Sequence, residues 1–79
     1  MVKENWILKE YLEGKDGVTS DVLGLYPTRT EALNSAMQRG KDILDIGYKV
    51  RGFSYFDDYI SLEYKNCNEL IKLCIEEKG

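Results

Sequence analysis

The chain has 79 residues and a formal net charge of −3, with 43% hydrophobic and 32% charged side chains. This composition indicates one folded domain, and a domain of this length can bury a thin core layer but cannot enclose a deep cleft. Residues 1–40 carry five basic and six acidic side chains and residues 41–79 carry six and eight, so neither half has the positive charge that nucleic-acid binding needs.

The sequence shows no targeting or membrane segment. No run of apolar residues exceeds three, which argues against a membrane-spanning helix. Met1 leads directly into charged residues, without the apolar stretch and cleavage site of a secretory signal. We therefore expect a cytoplasmic protein without membrane association, located in the host cytoplasm if it is viral.

The first predicted elements are two strands joined by a turn. Residues 14–17 read Gly-Lys-Asp-Gly, which is a strong turn signal, and residues 18–26 beyond them are rich in β-forming side chains. Residues 6–12 fit either a strand or a short helix. We favour the strand, because residues 18–26 need a neighbouring strand to pair with.

A helix is predicted next. Thr28 and Glu31 have the spacing of a capping box, in which the Thr hydroxyl accepts from the amide three residues on. An apolar stripe follows at helical spacing: Ala32, Leu33, Ala36, Met37, Gly40, Ile43 and Leu44. Gly47 is a candidate C-terminal cap. Gly40 on the stripe indicates either a close approach to another backbone or a break in the helix near Arg39.

The second half predicts a hairpin followed by another helix. Residues 48–56 and 59–65 read as two strands around the turn Asp57-Asp58, and Gly52 indicates a bulge in the first strand. Asn66 and Glu69 then repeat the capping pattern, with Asn in place of Thr, and this predicts a helix at the end of the chain.

The final helix would carry Leu70, Ile71, Cys74 and Cys67 on its apolar face. Two cysteines seven residues apart on a helix are separated by about 10 Å along its axis, which is too far for a disulfide. We therefore expect both cysteines to be reduced, buried thiols.

The two halves predict the same order of elements. When the sequence is aligned with itself at an offset of 38 residues, Val22 falls on Ile60, Thr28 on Asn66 and Glu31 on Glu69. This suggests a duplication of residues 5–46 in residues 48–78. The predicted fold is a single α+β domain, ββαββα, with a four-stranded antiparallel sheet and two helices packed on one face.

Three short segments carry a resemblance to known proteins: Trp6-Ile-Leu-Lys, then Leu25-Tyr26, then Thr28-Arg-Thr-Glu-Ala32. Over its first two thirds the chain resembles small bacterial and phage proteins of unknown function. In these proteins a strand starting with Trp, a polar turn and a second strand lead into a T-x-x-E-A helix and a further hairpin. The resemblance implies this fold and no activity, and the predicted closing helix departs from the shortest members of that type.

Residue patterns for catalysis and metal binding are missing from the sequence. The chain has no His, which removes Ser/His and Cys/His catalysis, and its two cysteines match no zinc spacing. The acidic pairs Asp57-Asp58 and Glu76-Glu77 are typical of a turn and of a solvated helix end. We predict no enzyme activity, no catalytic residue, no cofactor and no metal site.

The tyrosines and their basic neighbours predict a partner-binding surface. Two helices on one face of the sheet would leave the other face open, and alternate strand positions point towards it. The candidate residues are Ile7, Tyr11, Lys49, Arg51, Tyr55 and Tyr59. Tyr with Arg is typical of protein-binding surfaces, and the competing interpretation is that Tyr covers the flank of a small core. Pairing of the chain with itself is also attractive, because its edge strands are otherwise exposed.

The leading hypothesis is a small non-enzymatic interaction module that binds a protein partner, such as a phage or mobile-element inhibitor of a host factor. The alternative is a protein that sequesters a nucleotide or small anion in a pocket between subunits. That pocket would use these residues: Trp6 for stacking, Thr28, Arg29 and Thr30 at the helix N-terminus, and the basic Lys49 and Arg51. Nucleic-acid binding ranks third, since the acidic balance argues against it.

Overall fold

The computed structural model describes residues 5–78 and shows a five-stranded antiparallel sheet with a helix on one face. The elements in chain order are β1 (Trp6–Gly14), β2 (Gly17–Tyr26), α1 (Arg29–Asp45), β3 (Lys49–Phe56), β4 (Tyr59–Lys65) and β5 (Leu70–Glu77). The strand order is β2-β1-β5-β4-β3. The predicted α+β class is confirmed. The predicted ββαββα order with four strands and two helices is wrong, because the last element is a strand.

The first three elements follow the sequence signals. The strand interpretation of residues 6–12 is confirmed, and Gly17 adopts a φ of 123° in the turn, a region that favours glycine. Thr28 is the N-cap of α1, and its side chain accepts a hydrogen bond of 3.2 Å from the amide of Glu31. The capping box therefore sets the helix start where the sequence places it.

Gly40 lies inside an unbroken helix and allows a close approach. A Cβ atom built on Gly40 would overlap the hydroxyl of Tyr64, a buried side chain on β4. Of the two interpretations of Gly40, close approach is therefore the correct one, although its neighbour is a side chain rather than a backbone. The glycine lets α1 lie near the sheet at this point.

The final helix is replaced by the central strand of the sheet. Asn66 does accept backbone hydrogen bonds at its side chain, from the amides of Asn68 and Glu69, each at 3.1 Å. However, the amide of Asn66 also donates to the carbonyl oxygen of Glu69, at 3.0 Å, so the segment closes a hairpin between β4 and β5. An Asx turn and a helix N-cap share the same local hydrogen bond, and only the pairing partners of the following residues separate them.

The long-range pairing of β5 decides its conformation. It is hydrogen-bonded to β1 on one side and β4 on the other, so it joins the β1–β2 hairpin to the β3–β4 hairpin. Ile71, Leu73 and Ile75 alternate along it and face α1. Of the two segments matched in the proposed duplication, the first folds as ββα and the second as three strands.

The strand assignment also separates the two cysteines. Cys67 is exposed in the turn before β5, whereas Cys74 is buried within β5, and both are free thiols. The expectation of two buried thiols on one helix is therefore wrong for Cys67. The expectation that they form no disulfide with each other agrees with the structure.

The core lies between α1 and the sheet. Its fully buried members are contributed by the helix and the three inner strands: Leu8, Ala32, Ala36, Ile43, Ile60, Leu73 and Ile75. Arg39 on α1 adds a bidentate ion pair with Glu10 on β1, with atom separations of 2.8 and 3.4 Å. Among residues 5–78, no helix has the length and apolar character needed to cross a membrane.

Candidate functional site

The face of the sheet opposite α1, here called the open face, has no element packed on it within the described residues. Four rows of cross-strand neighbours, written from β2 to β3, make up this face: Leu25, Ile7, Glu76, Tyr59 and Phe56; Val22, Lys9, Cys74, Ser61 and Ser54; Ser20, Tyr11, Lys72, Glu63 and Gly52; Val18, Glu13, Leu70, Lys65 and Lys49. The rows differ in character from one edge of the sheet to the other.

The β1–β2 side of the open face is rich in apolar side chains, which alternate with Lys9, Glu13 and Ser20. Five side chains form what we call the apolar strip: Ile7, Tyr11, Val18, Val22 and Leu25. Val18 and Val22 are 62% and 60% exposed. Exposed apolar side chains gathered on one part of a surface are characteristic of interaction sites.

Two charged pairs lie on the open face, one between β1 and β5 and one between β3 and β4. The ammonium of Lys9 lies 2.6 Å from a carboxylate oxygen of Glu76, and a guanidinium nitrogen of Arg51 lies 3.4 Å from Glu63. The pair with Glu76 raises the pKa of Lys9. Because both pairs are partly exposed, they contribute little to stability. They do place charged groups in the middle of the open face and on its β3–β4 side.

The centre of the open face is covered by its own side chains. Cys74 and Ser61 are each only 3% exposed, and the hydroxyl of Tyr59 lies 3.4 Å from the sulfur of Cys74. Burial raises the pKa of the Tyr59 hydroxyl and of the Cys74 thiol, and the contact with Cys74 adds to the shift at Tyr59. Cys74 therefore remains a protonated thiol at neutral pH, which makes it a poor nucleophile.

The concave features of the surface are shallow. A depression of about 240 Å³ lies on the open face between Tyr11, Tyr59 and Lys72. This volume is below the range of about 300–1,000 Å³ that is usual for small-molecule sites. Larger depressions of about 390 to 450 Å³ lie at the far end of the sheet, around residues 14–17, 47–51 and 65–70, and one of them reaches the open face at Glu13, Leu70 and Lys65. All of them are wide open to solvent, so these surfaces are better shaped for a broad partner than for an enclosed ligand.

Five of the six residues predicted for the partner surface lie on the open face: Ile7, Tyr11, Lys49, Arg51 and Tyr59. Tyr55 does not. A bulge at Arg51 shifts the register of β3 between Val50 and Gly52, so the alternation of faces is inverted beyond it. Tyr55 consequently lies on the α1 side, where the guanidinium of Arg29 sits 5.0 Å from its ring centroid.

Sequence reasoning missed three members of the apolar strip and one aromatic residue. Val18, Val22 and Leu25 were not assigned to a face, although pairing β2 with β1 from the turn at residues 14–17 would have placed Val18 opposite Glu13. Phe56 could have been found from the two-residue turn at 57–58, which makes it the cross-strand neighbour of Tyr59.

The residues of the ligand-binding alternative are not brought together. Trp6 packs against the core, Thr28 caps α1, and Arg29 donates a hydrogen bond of 3.4 Å to the carbonyl oxygen of Asp57. Thr30 is exposed beside them, but Lys49 lies at the opposite end of β3 from Asp57. The nucleotide-binding alternative stays a prediction without an assembled site. Within residues 5–78, no three acidic or cysteine side chains are grouped so that they could hold a metal ion.

Comparison of the chain with protein-family models, with curated proteins and with solved structures finds no match. The resemblance to small bacterial and phage proteins therefore stays a prediction, and the open face is the feature of this protein that indicates a function.

Proposed function

We propose that the protein is a non-enzymatic binding module that engages a protein partner through the open face of its sheet. The apolar strip is the observation that carries this proposal. It leaves Val18, Val22 and Leu25 in solvent beside Ile7 and Tyr11, with no element of residues 5–78 covering them. Burying such side chains against a partner is favourable by about 25 cal/mol per Å² of apolar surface.

The layout of the open face supports a protein as the partner. Protein interfaces commonly combine a patch of apolar and aromatic side chains with neighbouring charged and polar residues. Here the apolar strip lies at the β2 edge of the sheet beside the Lys9–Glu76 ion pair, and the Arg51–Glu63 pair lies towards the opposite edge. A complementary partner would present apolar side chains to the strip and charged or polar groups to the pairs. An inhibitor of a host factor, as hypothesised from the sequence, is one protein of this class.

A matched pair of variants on β2 tests the proposal. Val18 and Thr19 are adjacent and both exposed, but Val18 lies on the open face and Thr19 on the α1 side. V18E and T19E therefore add the same charge at the same edge of the sheet to opposite faces. The tagged wild-type protein and both variants would be used to capture partners from lysates of candidate hosts.

We expect one stoichiometric partner with the wild type and T19E, and its loss with V18E. Binding of the purified partner, measured by calorimetry, should weaken about tenfold or more in V18E, because a carboxylate would be buried without a counter-charge. Far-UV circular dichroism of each variant verifies that the fold is retained. Equal binding by V18E and T19E, or no partner in any host tried, would contradict the proposal.

A further inference from the structure

The second exposed apolar region lies on the α1 side of the sheet, along its edge strand β3. Val50, Phe53 and Tyr55 point to this side and are 65%, 60% and 50% exposed. The helix packs on β1, β2, β4 and β5 but not extensively on β3, which leaves these side chains exposed. The rings of Phe53 and Tyr55 are stacked, with centroids 6.2 Å apart. This region is separate from the open face.

We propose that β3 pairs with β3 of a second copy of the chain, antiparallel and about a two-fold axis at Ser54. Within the part of the chain that the structure describes, no strand pairs with the outer edge of β3. Phe56 and Tyr59 close a two-residue hairpin, so the amide and carbonyl of Ser54 point towards β4 and those of Phe53 and Tyr55 point outward. Phe53 and Tyr55, on either side of Ser54, can therefore exchange backbone hydrogen bonds with Tyr55 and Phe53 of the second copy.

Charge along this edge favours the antiparallel orientation. Lys49 and Arg51 lie at the start of β3, and Asp57 and Asp58 follow its end. An antiparallel copy therefore places the basic end of one strand against the acidic end of the other, twice per dimer. Arg51 is available for this contact because its 3.4 Å pair with Glu63 is long and partly exposed, and therefore weak. A parallel copy would set like charges against each other.

The register centred on Ser54 brings compatible side chains opposite each other on both faces of the sheet. On the α1 side it places Phe53 opposite Tyr55 of the second copy, and aromatic cross-strand pairs stabilise antiparallel ladders. On the open face it places Phe56 opposite Gly52, whose missing side chain leaves room for the ring. Arg51 then lies opposite Asp57. A register centred on Tyr55 would instead set Phe53 against Asp57.

The size of the contact determines how stable the dimer is. The regular part of the edge spans five residues, about 17 Å at 3.4 Å per residue. This is small beside standard interfaces, which bury about 1,600 Å² in total. We therefore expect a reversible dimer whose population depends on protein concentration. The dimer would extend the sheet to ten strands with both open faces on the same side, and it does not depend on the function proposed above.

Sedimentation equilibrium of the full chain over a concentration series tests the inference. Ser54→Arg places two like charges across the two-fold axis, and Ser20→Arg is the matched control, because Ser20 is also exposed on the open face but lies on the opposite edge strand β2. We expect concentration-dependent dimerisation by the wild type and S20R. We expect the dissociation constant of S54R to be about tenfold higher or more, since like-charge juxtaposition opposes association.

A charge swap tests the orientation. R51D and D57R should each weaken the dimer, and the double variant R51D/D57R should restore it, because the two ion pairs would form again with reversed polarity. A wild type that stays monomeric at every concentration would overturn the proposal. So would a dimer that S54R does not weaken, or a double variant no better than the single ones. None of these outcomes bears on the V18E and T19E comparison, which probes the other face.

Discussion

Gly40 is the residue at which tertiary contact outweighs helix propensity. Replacing an interior helical glycine with alanine usually stabilises a helix by about 1 kcal/mol. Here the new Cβ would overlap the Tyr64 hydroxyl, and overpacking of this kind costs about 1–3 kcal/mol. We therefore expect G40A to lower the midpoint of urea unfolding. The matched helix control N34A, at an exposed position, should leave it unchanged or raise it.

A second variant identifies the cause. Y64F removes the hydroxyl nearest to the added Cβ. We therefore expect the G40A substitution to cost less stability in the Y64F variant than it costs in the wild type. If G40A is as stable as the wild type, or if Y64F gives no recovery, the close approach of Gly40 to Tyr64 does not explain the glycine.

Buried hydroxyl and thiol groups predict how stability depends on pH. Burial raises the pKa of Tyr64, Tyr59 and Cys74 in the folded chain. As pH rises, these groups therefore lose their protons first in the unfolded chain. Once pH exceeds their ordinary pKa values, about 8.5 for Cys and 10 for Tyr, this ionisation favours the unfolded chain. Their contribution is complete below those values and is lost as pH rises through the folded pKa values.

We expect the free energy of unfolding, measured by urea titration between about pH 8 and 11, to fall on the alkaline side. Y64F should show a shallower decline than the wild type, because one of the groups that ionise on unfolding has been removed. The same decline in both proteins would mean that Tyr64 ionises equally well in the folded chain.

At the scale of elements, β5 is the element that the local sequence predicts wrongly. A helix and a strand over these residues would bury different side chains. The helical pattern favours Leu70, Ile71 and Cys74, whereas the strand buries Leu73 completely. We expect L73A to cost about 2–5 kcal/mol, as buried Leu-to-Ala changes do, and L70A to cost much less, since Leu70 is only half-buried. Equal costs, or a larger cost for L70A, would favour the helix.

The elements that the sequence predicts correctly are those whose signals are local. The turn at residues 14–17, the Thr28 cap and the apolar stripe of α1 each depend on residues within a few positions of one another. Asn66 shows the limit, because its side chain makes the same local hydrogen bonds in an Asx turn as in an N-cap. What makes Leu70–Glu77 a strand is its pairing with β1, some 60 residues earlier, which no local pattern carries.

The same limit applies to the candidate surface. Strand alternation places Ile7, Tyr11 and Tyr59 on the open face, and it fails at Tyr55 because a single bulge residue inverts the faces of the strand. Gly52 signals a bulge in the sequence but does not tell how the residues beyond it are oriented.

At the scale of the whole molecule, the sheet depends on its last strand. Chain order produces two units, β1–β2–α1 and β3–β4, and β5 is inserted between them and pairs with both. Trp6 pairs with Glu77, so almost the entire chain must be available before the sheet can close. Such non-local pairing is typical of slow, cooperative folding.

We therefore expect a chain ending at Asn66 to lose cooperative unfolding. Removing β5 takes away the buried side chains of Ile71, Leu73, Cys74 and Ile75. At about 2 kcal/mol for each buried apolar side chain, the loss is about 8 kcal/mol. A domain of this size has about 4–12 kcal/mol of total stability, at 0.05–0.15 kcal/mol per residue, so most or all of it would be lost. The control, a chain ending at Glu77, keeps β5 intact.

Urea unfolding followed by circular dichroism distinguishes the two chains. The control should unfold in a single cooperative transition near that of the full chain, and the shorter chain should show none. Losing β5 also uncovers the inner edges of β1 and β4 and the core residues Leu8 and Ile60, so the shorter chain should associate through unpaired strands as its concentration rises. A cooperative transition in the shorter chain would mean that α1 and the two hairpins form a stable core by themselves, and that β5 adds to the fold without being its centre.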